Sequence, residues 1–111
     1  MVTYTSKVSW EKLRSIDSST FTGSYQAVGT PFVYPSYICK MVNNSSVLVT
    51  ISFDGVNDYD VAPANSFWLY DEGKSSPNAN YPALPVGTQI YVKGSAGTGL
   101  VYLVTQYIVQ I

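Results

Sequence analysis

The chain has 111 residues and a formal net charge of -1, with charged residues at 12% of the total, one cysteine and no histidine. This length favours one domain with its own hydrophobic core, and the balanced charge supplies neither a basic field for nucleic acid nor a polybasic patch for a membrane. Because histidine is the commonest base that activates a serine or cysteine nucleophile, we expect a protein that is not an enzyme and uses no cofactor.

Residues 1–14 are predicted to form an N-terminal arm that precedes a single β domain at 15–111. Residues 1–7 lack the apolar core of a signal peptide, and no run in the chain approaches the roughly 20 apolar residues of a membrane span. The one helical candidate is 9–14, for which Ser9 is a suitable N-cap. We expect this arm to become ordered against a neighbouring molecule.

From Phe21 onward, short extended runs alternate with Gly, Pro, Asn and Asp turn residues. This pattern is typical of an all-β fold, and we predict a single β-sandwich, jelly-roll or immunoglobulin-like, with seven to eight strands. Seven of the strands can be placed, at 24–28, 36–42, 47–53, 59–62, 66–70, 88–93 and 100–109.

The last predicted strand is apolar on both of its faces. Val101 and Leu103 lie on one parity, and Leu100, Tyr102 and Val104 lie on the other. A strand of this kind is either central and covered on both sides within its own chain, or covered on one side by another subunit. The sequence leaves both possibilities open.

The segment DGVNDYD, at 54–60, places three carboxylates and an amide within seven residues. Closely spaced oxygen ligands are what Ca²⁺ requires, so the segment is a candidate calcium loop. Its order does not match the D-x-[DN]-x-[DN]-G pattern, and Asp-Gly is a strong hairpin signal. We therefore predict a hairpin turn without a metal, and the calcium loop is the alternative.

The segment GSAGTG, at 94–99, has three glycines in six residues, which raises the question of a phosphate-binding loop. Such a loop leads into a helix N-terminus, whereas the residues after Gly99 are β-branched and aromatic and favour a strand. The segment also lacks a following Gly-Lys-Ser or Gly-Lys-Thr. We predict a hairpin turn in which the glycines supply positive φ angles.

Ten tyrosines and two tryptophans make the chain rich in side chains that suit protein or sugar contacts. Trp68 and Tyr70 alternate with Phe67 and Leu69. If the latter pair faces the core, the former pair makes an outward aromatic platform, unless a loop such as 71–81 covers it. The residues expected to make assembly or ligand contacts are Tyr4 and Trp10 in the arm, Trp68 and Tyr70 on the strand, and Tyr81 in the long loop.

Three stretches carry a family resemblance: SIDSSTFTGSYQAVGTP (15–31), VNNSSVLVTISFDGVNDYDVAPANSFWLYD (42–71) and LPVGTQIYVKGSAGTGLVYLVTQY (84–107). They resemble small β-rich proteins encoded among the virion structural genes of tailed bacteriophages. In that pattern a glycine is expected at Asn65 and often a histidine at Tyr59. The resemblance covers most of the chain after the arm and involves no catalytic motif.

The resemblance implies a structural component of the virus particle. We predict a non-enzymatic neck, tail or capsid-decoration subunit, made in the host bacterial cytoplasm and located in the virion, whose partners are other virion proteins and further copies of itself. The alternative is a carbohydrate-binding module of a phage tail or fibre. In that module Trp68, Tyr70 and Tyr81 would stack on sugar rings, and Asn78 and Asn80 would bind hydroxyls.

Overall fold

The structure, a computed structural model, describes residues 6–72 and 83–110. In this part of the chain the regular structure is nine strands and one short 3-10 helix at Ser18–Thr20. The strands are β1 (Ser6–Trp10), β2 (Arg14–Asp17), β3 (Gln26–Ala27), β4 (Ile38–Ser45), β5 (Val49–Ser52), β6 (Asp60–Ala62), β7 (Ser66–Asp71), β8 (Tyr91–Lys93) and β9 (Gly99–Gln110).

The strands form two antiparallel sheets that pack face to face. In the five-stranded sheet the order is β1, β9, β4, β7, and β2 pairs with β9 beside β1. In the four-stranded sheet the order is β3, β8, β5, β6. The predicted all-β sandwich is therefore confirmed, and the described residues contain nine strands where seven to eight were expected. The choice between jelly-roll and immunoglobulin-like topology stays a prediction.

The described part of the N-terminal arm belongs to the sandwich. Strand β1 pairs with the end of β9, from Ser6 opposite Gln110 to Trp10 opposite Gln106. The helical candidate at 9–14 is not a helix in the structure, because partner strand β9 is long enough to hold β1 and β2 in succession along one edge. Pairing with a distant strand has overridden a weak local helical signal.

The GSAGTG segment joins the two sheets and is not a hairpin. It leaves β8 in the four-stranded sheet and enters β9 in the five-stranded sheet. A Cβ atom on Gly97 would lie 2.7 Å from the Ser46 hydroxyl and 2.8 Å from a Val47 methyl group. Of the three glycines only Gly99 has a positive φ, of 97°. Close approach of the backbone to its neighbours therefore explains the glycine at position 97.

The core lies between the two sheets and is built by alternation along each strand. On β9 the odd-numbered residues Val101, Leu103 and Thr105 point inward and are buried. Facing them from the four-stranded sheet are fully buried aliphatic side chains of β5 and β8 and of the residue before β8. The buried hydrophobic cluster includes Met41, Val49, Ile51, Ile90, Val92, Val101 and Leu103.

Asn65, between β6 and β7, is the one described non-glycine residue with a positive φ, of 55°. Asparagine tolerates this left-handed conformation because its short polar side chain can hydrogen-bond locally, whereas most other non-glycine residues lose roughly 1–2 kcal/mol in it. We expect Asn65→Ala to lower the free energy of unfolding by about 1 kcal/mol, and Asn65→Gly, the residue expected from the resemblance, to be tolerated. Urea denaturation of both variants checks this, and equal losses in the two would contradict it.

Candidate functional site

The side of the five-stranded sheet that faces away from the second sheet is rich in apolar residues, and we call it the outer face. The register between strands places its members in rows, with Val42 of β4 beside Phe67 of β7 and Tyr102 of β9. In the next row Leu69 and Val104 flank Lys40. The apolar members of the outer face are Val8, Trp10, Ile38, Val42, Phe67, Leu69, Leu100, Tyr102, Val104 and Ile108.

Large apolar side chains on the outer face are open to solvent. Trp10 is 60% exposed, Phe67 59% and Leu69 48%. Val8, Leu100 and Ile108 are also exposed. Such a set of exposed apolar side chains on one sheet face is unlike the scattered single residues of an ordinary surface, and it makes the outer face the candidate contact surface.

Charged residues on the outer face are few and mostly peripheral. Lys40, on β4, is the one cation among the described strand residues of the outer face. It lies between Leu69 of β7 and Val104 of β9. Asp71 lies at the end of β7 and Asp17 at the end of β2. The interior of the face is therefore mostly apolar, with Lys40 and the uncharged Gln106 as polar members, and carboxylates lie at two of its corners.

The predicted platform of Trp68 and Tyr70 is inverted in the structure. Trp68 is only 9% exposed, and its Nε1 donates a hydrogen bond to Asp60 Oδ2 at 2.6 Å. Tyr70 is half-buried and packs against the core. Both point inward because they lie opposite the core residues Met41 and Cys39 on β4. Phe67 and Leu69 take the outward position, so the stacking platform assumed for a carbohydrate module is absent from this strand.

Beside the outer face is a groove of about 520 Å³, lined by the bend between β1 and β2 and by residues from 29 to 34. Its rim contains Trp10, Leu13 and Val33, which are all exposed. Tyr34 stacks on Tyr107, with ring centroids 3.9 Å apart and planes 9° from parallel. Of these residues only Trp10 was predicted as a contact residue. The others lie in irregular segments or on an inward parity, where sequence patterns give no signal.

An ion pair between Glu11 and Arg14 forms the base of this groove. Arg14 Nη2 donates to Glu11 Oε1 at 2.8 Å, and Arg14 Nε donates to the Thr30 carbonyl at 2.8 Å. The Glu11 carboxylate accepts hydrogen bonds from the backbone N–H groups of Val33 and Tyr34. Burial raises the pKa of Glu11, but Arg14 and these two backbone donors outweigh that effect, so the pKa is lowered overall. The pair thus anchors the groove wall to the sheet.

The first carboxylate of the candidate calcium loop, that of Asp54, is bound by other groups of the same loop. Asp54 Oδ1 accepts hydrogen bonds from the backbone N–H groups of Val56 and Asn57, and Oδ2 accepts from Tyr59 Oη. These donors, with backbone bonds the largest cause, hold the pKa of Asp54 well below its usual range. Gly55 has a φ of 76°, as the predicted Asp-Gly turn between β5 and β6 requires. Asp54 therefore closes a turn with its own neighbours.

Asp58, in the same loop, pairs with the four-stranded sheet. Its carboxylate forms an ion pair with Lys93 Nζ at 2.9 Å and accepts a hydrogen bond from the Tyr25 hydroxyl. Burial and this hydrogen bond raise the pKa of Tyr25 to about 12. Among residues 6–72 and 83–110, no group of three or more acidic, cysteine or histidine side chains is placed to hold a metal ion.

Four residues of the sequence-based site lie outside the described residues: Tyr4, Asn78, Asn80 and Tyr81. Of the five predicted contact residues, Trp10 lies on the surface, where the outer face meets the groove.

In the part of the chain that the structure describes, no helix has the length and apolar character to cross a membrane. Comparisons with protein families, with curated proteins and with solved structures found no match to this chain.

Proposed function

We propose that this chain is a non-enzymatic structural protein of a tailed-bacteriophage virion, a neck, tail or capsid-decoration subunit that works in many copies. The observation that carries the proposal is the outer face, where exposed apolar side chains of β1, β7 and β9 flank half-buried apolar side chains of β4. A particle subunit needs a surface of this kind because assembly depends on large complementary contacts. The sequence resemblance to small β-rich virion proteins points to the same class.

The composition of the outer face supports this role. Interfaces between subunits are depleted of charge at their centre, enriched in aromatic residues, and polar at the rim. The outer face has Trp10, Phe67 and Tyr102 among its aliphatic residues, and its carboxylates, Asp17 and Asp71, lie at strand ends. It therefore has the composition of a surface that another protein covers.

Cys39, Glu11 and Arg14 have structural roles, which favours a binding protein over an enzyme. Cys39 is fully buried, and burial raises the pKa of its thiol to about 12, so it is a poor nucleophile at neutral pH. The Glu11 and Arg14 side chains are bound to each other and to backbone groups. The proposed function therefore rests on the outer face and not on a catalytic centre.

The proposal is tested in purified particles of the phage whose genome encodes the chain. We expect the chain to be present by mass spectrometry, at many copies per particle. Phe67→Lys places a charge on the outer face without touching the core, so we expect this variant to be lost from particles. Val61→Lys, on the outward side of the other sheet, is the control and should be retained. Particles without the chain would overturn the proposal.

A further inference from the structure

We infer that the outer face is covered by the outer face of a second copy, so that the building block is a two-fold dimer with the two five-stranded sheets packed against each other. This inference rests on the proposed role in a multi-copy assembly and names the first partner of that surface. Two sheets pack at about 10 Å when their facing side chains interdigitate, as they do inside a sandwich. The dimer would place a second apolar layer on the outside of the present one.

The area of the outer face approaches that of a stable dimer interface. Four strands spaced by about 4.8 Å, each about 3.3 Å per residue over the eight residues of β4, span on the order of 500 Å² in projection. The pairing of β1 with the end of β9 extends the face beyond β4. Protruding side chains such as Phe67 make the accessible area larger than the projection. A standard interface covers about 800 Å² on each partner, which is the size that this face approaches.

The charges also favour a second copy over a partner of opposite charge. A two-fold interface joins one patch to itself, so the patch must contain both members of any complementary pair. The outer face contains Lys40 among apolar neighbours and Asp17 at its edge. The described ion pairs involve Arg14 and Lys93, so Lys40 takes part in neither of them. With a net charge of -1, two copies also repel each other little.

Sedimentation equilibrium of the purified full chain tests the inference. We expect a dimer. Leu69→Lys should raise the dissociation constant of that dimer by at least about 30-fold, as loss of a hot-spot contact does. Val61→Lys is the matched control, because Val61 is 46% exposed and Leu69 48%, but Val61 lies on the other sheet. Circular dichroism melting curves verify that both variants keep the fold.

Cysteine labelling locates the contact independently. Cys39 is fully buried and should remain unlabelled in the folded chain, so it does not interfere. We expect maleimide to label Leu69→Cys more slowly as protein concentration rises from micromolar to millimolar, whereas labelling of Val61→Cys should not change. Slower labelling at both positions, or at the Val61 position alone, would overturn the inference.

The outcomes separate this inference from the proposed function. A chain that is monomeric at every concentration overturns the inference, and so does a dimer that Val61→Lys disrupts and Leu69→Lys does not. If the chain is monomeric but Phe67→Lys still prevents its incorporation into particles, the outer face binds a different virion protein and the proposed function stands. A dimer disrupted by Leu69→Lys supports the inference even if the chain is absent from particles, in which case the proposed function fails.

Discussion

Arg14→Met is expected to lower the free energy of unfolding by about 3–5 kcal/mol at pH 7, the range found when one partner of a buried ion pair is removed. Arg14 is buried and donates hydrogen bonds to Glu11, to the carbonyl oxygens of Thr30 and Pro31, and to the Thr105 hydroxyl. Its loss leaves a buried carboxylate beside unpaired carbonyl groups. Urea denaturation followed by fluorescence measures the change.

The double variant Glu11→Gln with Arg14→Met is the control, because it removes both charges and should recover part of the lost stability. The pH dependence gives a second readout. Since the pKa of Glu11 is lowered from 4.5 in the folded chain, the pair stabilises the wild type fully above pH 4.5, and this contribution is lost as the pH falls through the folded-state pKa. The difference between wild type and Arg14→Met should therefore shrink in acid. A loss below 1 kcal/mol that is independent of pH would contradict this account.

Asn43→Asp is expected to lower the free energy of unfolding by about 3 kcal/mol or more at pH 7. Asn43 is fully buried, and its Nδ2 donates to the carbonyl oxygens of Val47 and Ala62 at 2.9 Å and of Pro63 at 3.1 Å. Aspartate is nearly isosteric but replaces this donor by a charged oxygen that faces three acceptors. Chemical denaturation at pH 7 measures the loss.

The neighbouring residue provides a matched control, since Asn44 has the same side chain but is exposed. Asn44→Asp should change stability by less than about 0.5 kcal/mol, as surface substitutions do. Because the buried position raises the pKa of an introduced carboxyl, the destabilisation in Asn43→Asp should be largest at high pH and should diminish as that group protonates. Equal effects at the two positions would show that the buried amide network contributes little.

Strands with clear alternation could be predicted from the sequence. All seven placed strands overlap strands of the structure, and the alternation at 47–53 matches the buried residues Val49 and Ile51 of β5. Strands β1 and β2 were not predicted, because they are short, partly polar, and stable only beside β9 at the other end of the chain. The GSAGTG connection was assigned to a hairpin since local signals do not show which sheet each flanking strand joins.

The candidate site was predicted less well than the fold. On β7 both parities are large and apolar, so the sequence of Phe67, Trp68, Leu69 and Tyr70 does not specify which pair faces the core. The register with β4 decides the matter, because Cys39 and Met41 point inward and Lys40 points outward. In the sequence, the position of Lys40 between Cys39 and Met41 was the available signal for which side of β4 faces outward. The ambiguity of the last strand is resolved in part, since β9 is central in its sheet and only its odd-numbered side is covered within the described residues.

The position of β9 has a consequence for biosynthesis. This strand is the last of the described strands in chain order, yet it pairs with β1, β2 and β4, whose residues are synthesised earlier. Strands β1 and β2 therefore have no partner until β9 has been synthesised, and the five-stranded sheet cannot be completed before then. Contacts between such distant residues slow folding and leave strand edges unprotected in the meantime. We expect the polypeptide in which β9 has not yet paired to be the species most prone to aggregation and most dependent on chaperones.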